Sequence, residues 1–133
     1  MSITEIETAL RAVQVHPTAQ RIAVCQYVLN SHEHPTAETV KKAVDKNFPK
    51  ISLATVYNTL NTLVHVGLVK AINFPHSGKV VFDRNTSFHH HFIDEESGEL
   101  TDIDSDQVHI EHELPNNFAV DTVEVFLRGK KSN

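Results

Sequence analysis

The chain has 133 residues, 40% of them hydrophobic, a single cysteine and a formal net charge of −5. This is room for one medium or two small domains with packed cores, and too few apolar residues in any one run for a bilayer helix. Lone Cys25 excludes an intramolecular disulfide, and Glu5, Glu7 and Arg11 within Met1 to Val13 are unlike a secretory leader. A cytoplasmic protein with no membrane partner is expected.

Four helical segments come first. Ile3, Ile6, Leu10 and Val13 keep three-to-four spacing, and Thr18 caps a second helix with Ile22, Cys25, Val28 and Leu29 on one face. Pro35-Thr36 starts a third, continued by Val40, Ala43 and Val44. Ser52 opens a fourth, with Leu53, Val56, Leu60, Leu63 and Val64 on one side and Gly67 as its stop. The period then shifts towards two. Leu68 to Phe74 reads as a strand, Pro75-His76-Ser77-Gly78 as a turn and Lys79 to Phe82 as the returning strand.

Helices followed by a hairpin describe a winged helix-turn-helix over residues 1–82. Residues 83–133 read as a small α/β unit, with 83–88 as hinge. Its strands are expected near His89–Asp94, Glu99–Ile103 and Val120–Leu127, with a short helix around Asp106–His112. The fold class is therefore α+β. Charge divides at a similar place. Residues 1–73 hold seven Lys/Arg against five Asp/Glu, a net +2, whereas residues 74–133 hold five against twelve, a net −7. A mildly basic head suits phosphates and an acidic tail suits cations. The same asymmetry also fits two solvated surfaces.

On the fourth helix, Ser52, Thr55, Asn58, Thr59 and Thr62 lie off the apolar stripe, with Tyr57 at its edge. Short polar side chains approach phosphates and base edges closely, and Arg21 and Lys50 flank the helix as phosphate partners. The helix alone also reads as an ordinary amphipathic surface. The hairpin that follows favours double-stranded DNA.

Ten histidines are several times ordinary usage. His89 and His91 point to one face of the expected strand and His90 to the other, an arrangement that lets two imidazoles converge on a metal. Asp83 precedes that strand, Asp102 follows on its partner, and His34 lies in the turn "HEHPT". Composition alone does not join these last three to the His-x-His pair.

The strings "TAQR" (Thr18–Arg21), "HPTAE" (His34–Glu38), "SLATVYNTL" (Ser52–Leu60), "GLV" (Gly67–Val69), "FDRNTSFHHHF" (Phe82–Phe92) and "GELTDI" (Gly98–Ile103) resemble, in order, the ferric uptake regulator (Fur) family. The resemblance spans roughly residues 10–105. It implies a homodimeric winged-helix repressor that binds an inverted-repeat operator when a metal locks its two domains together. It also implies a metal site of His34, Asp83, His89, His91 and Asp102, and DNA contacts from Arg21, Tyr57 and their neighbours on the fourth helix.

Asp102, where iron sensors usually carry Glu, and Asn58, where many carry Arg, are similar to peroxide-responsive repressors. The His triplet is similar to iron response regulators. Asp94 and Ser97 occupy the positions of a Cys-x-x-Cys pair, so no four-cysteine structural zinc is expected. The family's frequent histidine on the final strand is missing. His90, Asp104, His109 and His112 are read as solvent-facing rather than as a second metal site.

The nitrogen and oxygen donors suit Fe(II), Mn(II) or Zn(II). Peroxide sensing by Fe(II)-dependent oxidation of His34 or His89 is the favoured reading, and no enzymatic turnover is expected. An iron- or haem-responsive regulator, with haem on an exposed His triplet, is the alternative. A metal-independent winged-helix adaptor and a mononuclear iron oxygenase are the readings from other classes.

Overall fold

A computed structural model describes residues 1–74 and 77–132. It comprises two compact units, Met1–Thr86 and Ser87–Asn133. Pro75 and His76, the first half of the expected turn, lie outside the described residues.

In the first unit, α1 (Ile3–Ala12), α2 (Ala19–Asn30), α3 (Ala37–Val44) and α4 (Leu53–His65) precede β1 (Lys70–Asn73) and β2 (Val80–Asp83). Each helix begins where a hydroxyl can take an orphan amide. Thr18, Thr36 and Ser52 accept hydrogen bonds from the amides of Arg21, Thr39 and Thr55, and Ser2 forms a capping box with Glu5. At the end of α4, Gly67 adopts φ +80°. The Leu68 amide then reaches the Leu63 carbonyl at 3.0 Å and the Gly67 amide that of Val64 at 3.1 Å. This left-handed turn swings the chain out of α4 into β1.

The apolar stripes of all four helices meet in one core. Ile6, Leu10, Val24, Cys25, Val28, Val40, Val56, Leu60 and Leu63 are buried there, with Phe82 contributed by β2. β1 and β2 pair antiparallel, Lys70 opposite Asp83 and Asn73 opposite Val80. The Phe82 amide donates to the Pro35 carbonyl at 2.9 Å, so β2 is also stitched to the turn between α2 and α3.

The second unit is built on β3 (His89–Asp94), flanked by β4 (Leu100–Asp104) and β5 (Phe126–Gly129) in the order β4-β3-β5. β4 runs antiparallel to β3, and β5 runs parallel to it. Between β3 and β4, Asp94 Oδ1 accepts the amides of Glu96 at 2.9 Å and Ser97 at 3.3 Å. The carboxylate thereby closes a tight loop at the positions where the family resemblance puts paired cysteines.

Two expectations are corrected here. In place of a helix around Asp106–His112 there is a single 3-10 turn, Ser105–Gln107, held by the Asp104 amide on Gln107 Oε1. Val108 is already extended, with φ −127° and ψ 120°. A short segment rich in Val, Ile and His has weak helix propensity, and an exposed one lacks the packed face that would compensate. Residues 109–122 are exposed throughout. The last strand is also shorter and later than Val120–Leu127. Its ladder begins where Phe126 meets His91, because β3 starts only two residues before His91.

Two outcomes test this description. Leu60, with 0% exposure, fills the centre of the helical core. Leu60→Ala is expected to lower unfolding free energy by about 3 kcal/mol in urea titrations; a loss below about 1 kcal/mol would contradict the packing. The amide of Glu96 first, then that of Ser97, holds the Asp94 carboxyl below its ordinary pKa. Such a group contributes stability above the unfolded-chain value and loses it as pH falls through the lower folded value. The difference in urea midpoint between wild type and Asp94→Asn should therefore shrink from about pH 5 to about pH 2.

Candidate metal centre and DNA-facing helix

Each unit carries its own set of nitrogen and oxygen donors. In the first, His34 stands immediately before Pro35, whose carbonyl holds the Phe82 amide, and Asp83 follows Phe82. That single backbone bond brings the turn and the strand into register. His34 Nε2 then lies 3.2 Å from Asp83 Oδ2, with the two side chains 9% and 5% exposed. Asp83 Oδ1 also accepts the amide of Asn85 at 2.8 Å, which fixes the rotation of the carboxylate.

In the second unit, alternation along β3 places His89 and His91 on one face, and antiparallel register sets Asp102 directly opposite His91. His89 Nε2 and His91 Nε2 lie 3.0 Å apart, and each is 3.4 Å from Asp102 Oδ1. His89 Nδ1 is 2.6 Å from the Ser87 carbonyl, which can only accept, so this nitrogen carries the proton and Nε2 presents its lone pair. The His91 ring is stacked with Phe126 at 5.6 Å. Sequence reasoning missed Ser87, Phe126 and Pro35. The first and last act through backbone carbonyls, which leave no side-chain signature, whereas Phe126 could have been read from strand alternation.

Within each unit, these separations fit the ligands of one ion. Two ligand atoms about 2.1 Å from one metal lie about 3.0 Å apart at a right angle and about 3.4 Å apart at the tetrahedral angle. Both donor sets meet that condition, and His34, Asp83, His91 and Asp102 each offer a ligand atom. Sulfur is absent from both. With Cys25 as the chain's one cysteine, buried among the helices, a four-cysteine zinc site is impossible.

His90 departs from expectation. It is 1% exposed rather than solvent-facing, edge-on to Phe88 with ring centroids 5.1 Å apart, and its Nδ1 is buried without a hydrogen-bond partner among the described residues. Asp104, His109 and His112 are exposed. With His89, His90 and His91 all buried, the triplet does not offer the exposed imidazoles that surface haem ligation requires.

The candidate DNA-contacting residues lie on α4 or just before it, except Arg21, which is on α2. Lys50, Ser52 and Asn58 are exposed, and Thr55 is half-buried. The Ser52 hydroxyl caps the helix and lies 2.9 Å from Thr55 Oγ1, so both are engaged in starting α4. Half-buried Tyr57 donates its hydroxyl to Glu38 Oε1 at 3.3 Å, and its pKa is raised by burial first and by the Glu38 charge second. Arg21 Nη1 donates to the His16 carbonyl at 2.6 Å. Thr59 was expected on the polar face but is 1% exposed, its hydroxyl donating to the Thr55 carbonyl at 2.8 Å. Once it returns its hydroxyl to the helix backbone, threonine is close to valine in shape, which is why composition misplaced it. Among the described residues, no helix is long and apolar enough to cross a membrane.

Comparison with known proteins agrees with this architecture. The chain is similar to the peroxide-responsive repressor PerR of Staphylococcus aureus (strain USA300), at 38% identity over 106 residues that cover 80% of this chain and 71% of that protein. It is similar in structure to the ferric uptake regulator (Fur) of Vibrio cholerae, with a TM-score of 0.70 and 25% identity, covering 95% of this chain and 99% of that one. The peroxide stress regulator of Campylobacter jejuni gives a TM-score of 0.61 at 25% identity, covering 100% of this chain and 98% of that one. The model of the ferric uptake regulator family matches residues 12–128, and the chain belongs to that family.

Proposed function

We propose that this protein is a cytoplasmic, homodimeric, metal-dependent transcriptional repressor that responds to peroxide, and that His34, Asp83, His89, His91 and Asp102 hold one regulatory divalent ion. The observation that carries the reading is the division of donors. The first unit supplies two ligand atoms 3.2 Å apart, and the second supplies three separated by 3.0 and 3.4 Å. Neither set alone satisfies an ion that prefers six ligands, whereas the two together supply five. An ion bound best when both contribute favours the arrangement of units in which they do so. Converting a 1:99 population to 99:1 takes about 5.5 kcal/mol of differential affinity. The similarity to the S. aureus repressor supports peroxide as the signal.

The chain's residues divide the work. Ser87 holds the proton of His89 on Nδ1 and so keeps Nε2 available. Asp83 and Asp102 supply negative charge that balances a divalent ion and favours metals that accept oxygen ligands, such as Fe(II) and Mn(II), over Cu(I), with Zn(II) also accommodated. When bound, Fe(II) would activate peroxide catalytically, without net loss of electrons. The ligand imidazole would be the two-electron reductant, one peroxide oxygen entering its C–H bond and the other leaving as water. An oxidised His34 or His89 is a poorer donor, and the units lose their shared ligand set. The head then presents α4 to an operator, with Lys50, Ser52, Thr55, Asn58, Tyr57 and Arg21 as the proposed contacts, less often in the geometry that two half-sites require. Iron itself as the signal is the second reading, favoured by the same donor chemistry.

Two experiments test this. Chelation of the purified protein should raise the apparent Kd for operator DNA by about 100-fold, and Mn(II) should restore binding to wild type but not to His34→Ala. Affinity indifferent to chelator would leave a metal-independent adaptor as the account. After peroxide treatment, peptides containing His34 or His89 should be heavier by one oxygen atom when Fe(II) was present and unmodified when Mn(II) was. Unmodified peptides in both cases, alongside intact metal-dependent binding, would assign the signal to iron instead.

A further inference from the structure

We propose that Asn61 reads an adenine edge in the major groove, an inference that rests on α4 being the DNA-contacting helix. Ala54, Asn58, Asn61 and His65 are exposed, and spacings of four, three and four residues set them in one stripe along α4. The stripe carries no Asp, Glu, Lys or Arg, and neither does the rest of Leu53–His65. By contrast, the outward positions of α1 include Glu5 and Arg11, and those of α3 include Glu38 and Lys42. A helix face left to water gains from charge. A face with short, uncharged side chains is instead cheap to dehydrate against another surface.

Along α4, the free hydrogen-bonding capacity lies in the carboxamides of Asn58 and Asn61 and, at the far end, in the His65 ring. The hydroxyls of Ser52 and Thr55 are paired at the cap, those of Thr59 and Thr62 return to the backbone carbonyls of Thr55 and Asn58, and that of Tyr57 goes to Glu38. Asn61 makes no side-chain hydrogen bond among the described residues. A carboxamide offers a donor and an acceptor side by side, which matches N6 and N7 of adenine and no other base in the same way. Lengths agree too. At about 1.5 Å per residue, Ala54 to Asn61 covers about 10.5 Å, inside a groove about 12 Å wide, whereas His65, about 16.5 Å from Ala54, reaches the flanking phosphates. The Ala54 methyl is then placed for contact with a thymine methyl. Asn58 and Asn61, about 4.5 Å apart along the axis, fall on neighbouring base pairs.

The test starts from duplexes selected out of a random library by the Mn(II)-loaded full chain. Each adenine of the selected duplex is replaced singly by 7-deazaadenine, which removes N7, and binding of wild type and Asn61→Ala is measured. At one adenine the replacement should weaken wild type about tenfold and leave Asn61→Ala unaffected. Asn61→Ala should bind the unmodified duplex about tenfold more weakly, with unchanged affinity for unselected DNA. Alanine is the better helix former at this exposed position, so retained binding to unselected DNA also reports an intact head. Equal losses for both proteins at every adenine, or wild-type affinity of Asn61→Ala for the selected duplex, would overturn the assignment. A library that yields no enriched duplex would instead remove the DNA-binding reading, and this proposal with it.

Discussion

Two imidazole nitrogens 3.0 Å apart share either a proton or a cation. His89 and His91 are in that position, because one face of β3 carries both and the Ser87 carbonyl accepts from His89 Nδ1. The carboxylate of Asp102, 3.4 Å from both nitrogens, stabilises positive charge at the same place. The rest of the second unit serves this arrangement. β4 delivers Asp102 in register, and β5 brings Phe126 to stack on His91. The first unit has its own version, in which a backbone bond from Phe82 to Pro35 fixes the distance between His34 and Asp83.

Local chemistry made much of this legible. Thr18, Thr36 and Ser52 announce helix starts because an orphan amide needs a hydroxyl at that place, and Gly67 announces a stop because its φ is positive. His-x-His on a strand converges by geometry alone. What stayed hidden depends on contacts distant in sequence. The pairing of His34 with Asp83 rests on a 47-residue hydrogen bond between two backbone groups, from Phe82 to Pro35, that no residue type advertises. His90 looked like a surface residue because alternation says only that it faces away from His89; it does not say what lies on that side. The segment after Asp104 misled for another reason. Its residues permit either a helix or an extended chain, and with so few buried partners neither is enforced.

The head shows the same principle on its outer face. α4 is defined inwardly by Val56, Leu60 and Leu63 and outwardly by what it lacks. Lys50 precedes it with a positive charge, Arg21 carries another on α2, and Glu38 occupies the hydroxyl of Tyr57. On the proposed reading, sequence-independent attraction and base discrimination would be carried by different residues, the former by Lys50 and Arg21 and the latter by the carboxamides of α4.

The loop closed by Asp94 has a bearing on chemistry far from any operator. Where a thiolate-bound zinc would make the scaffold itself a target for oxidants, this chain closes the turn with a carboxylate that peroxide leaves alone. Its one thiol, Cys25, is sealed among helices with a pKa pushed up to about 11, so almost none of it is the reactive anion at neutral pH. If the imidazoles are the detector, the fold that houses them presents peroxide with no reactive thiolate.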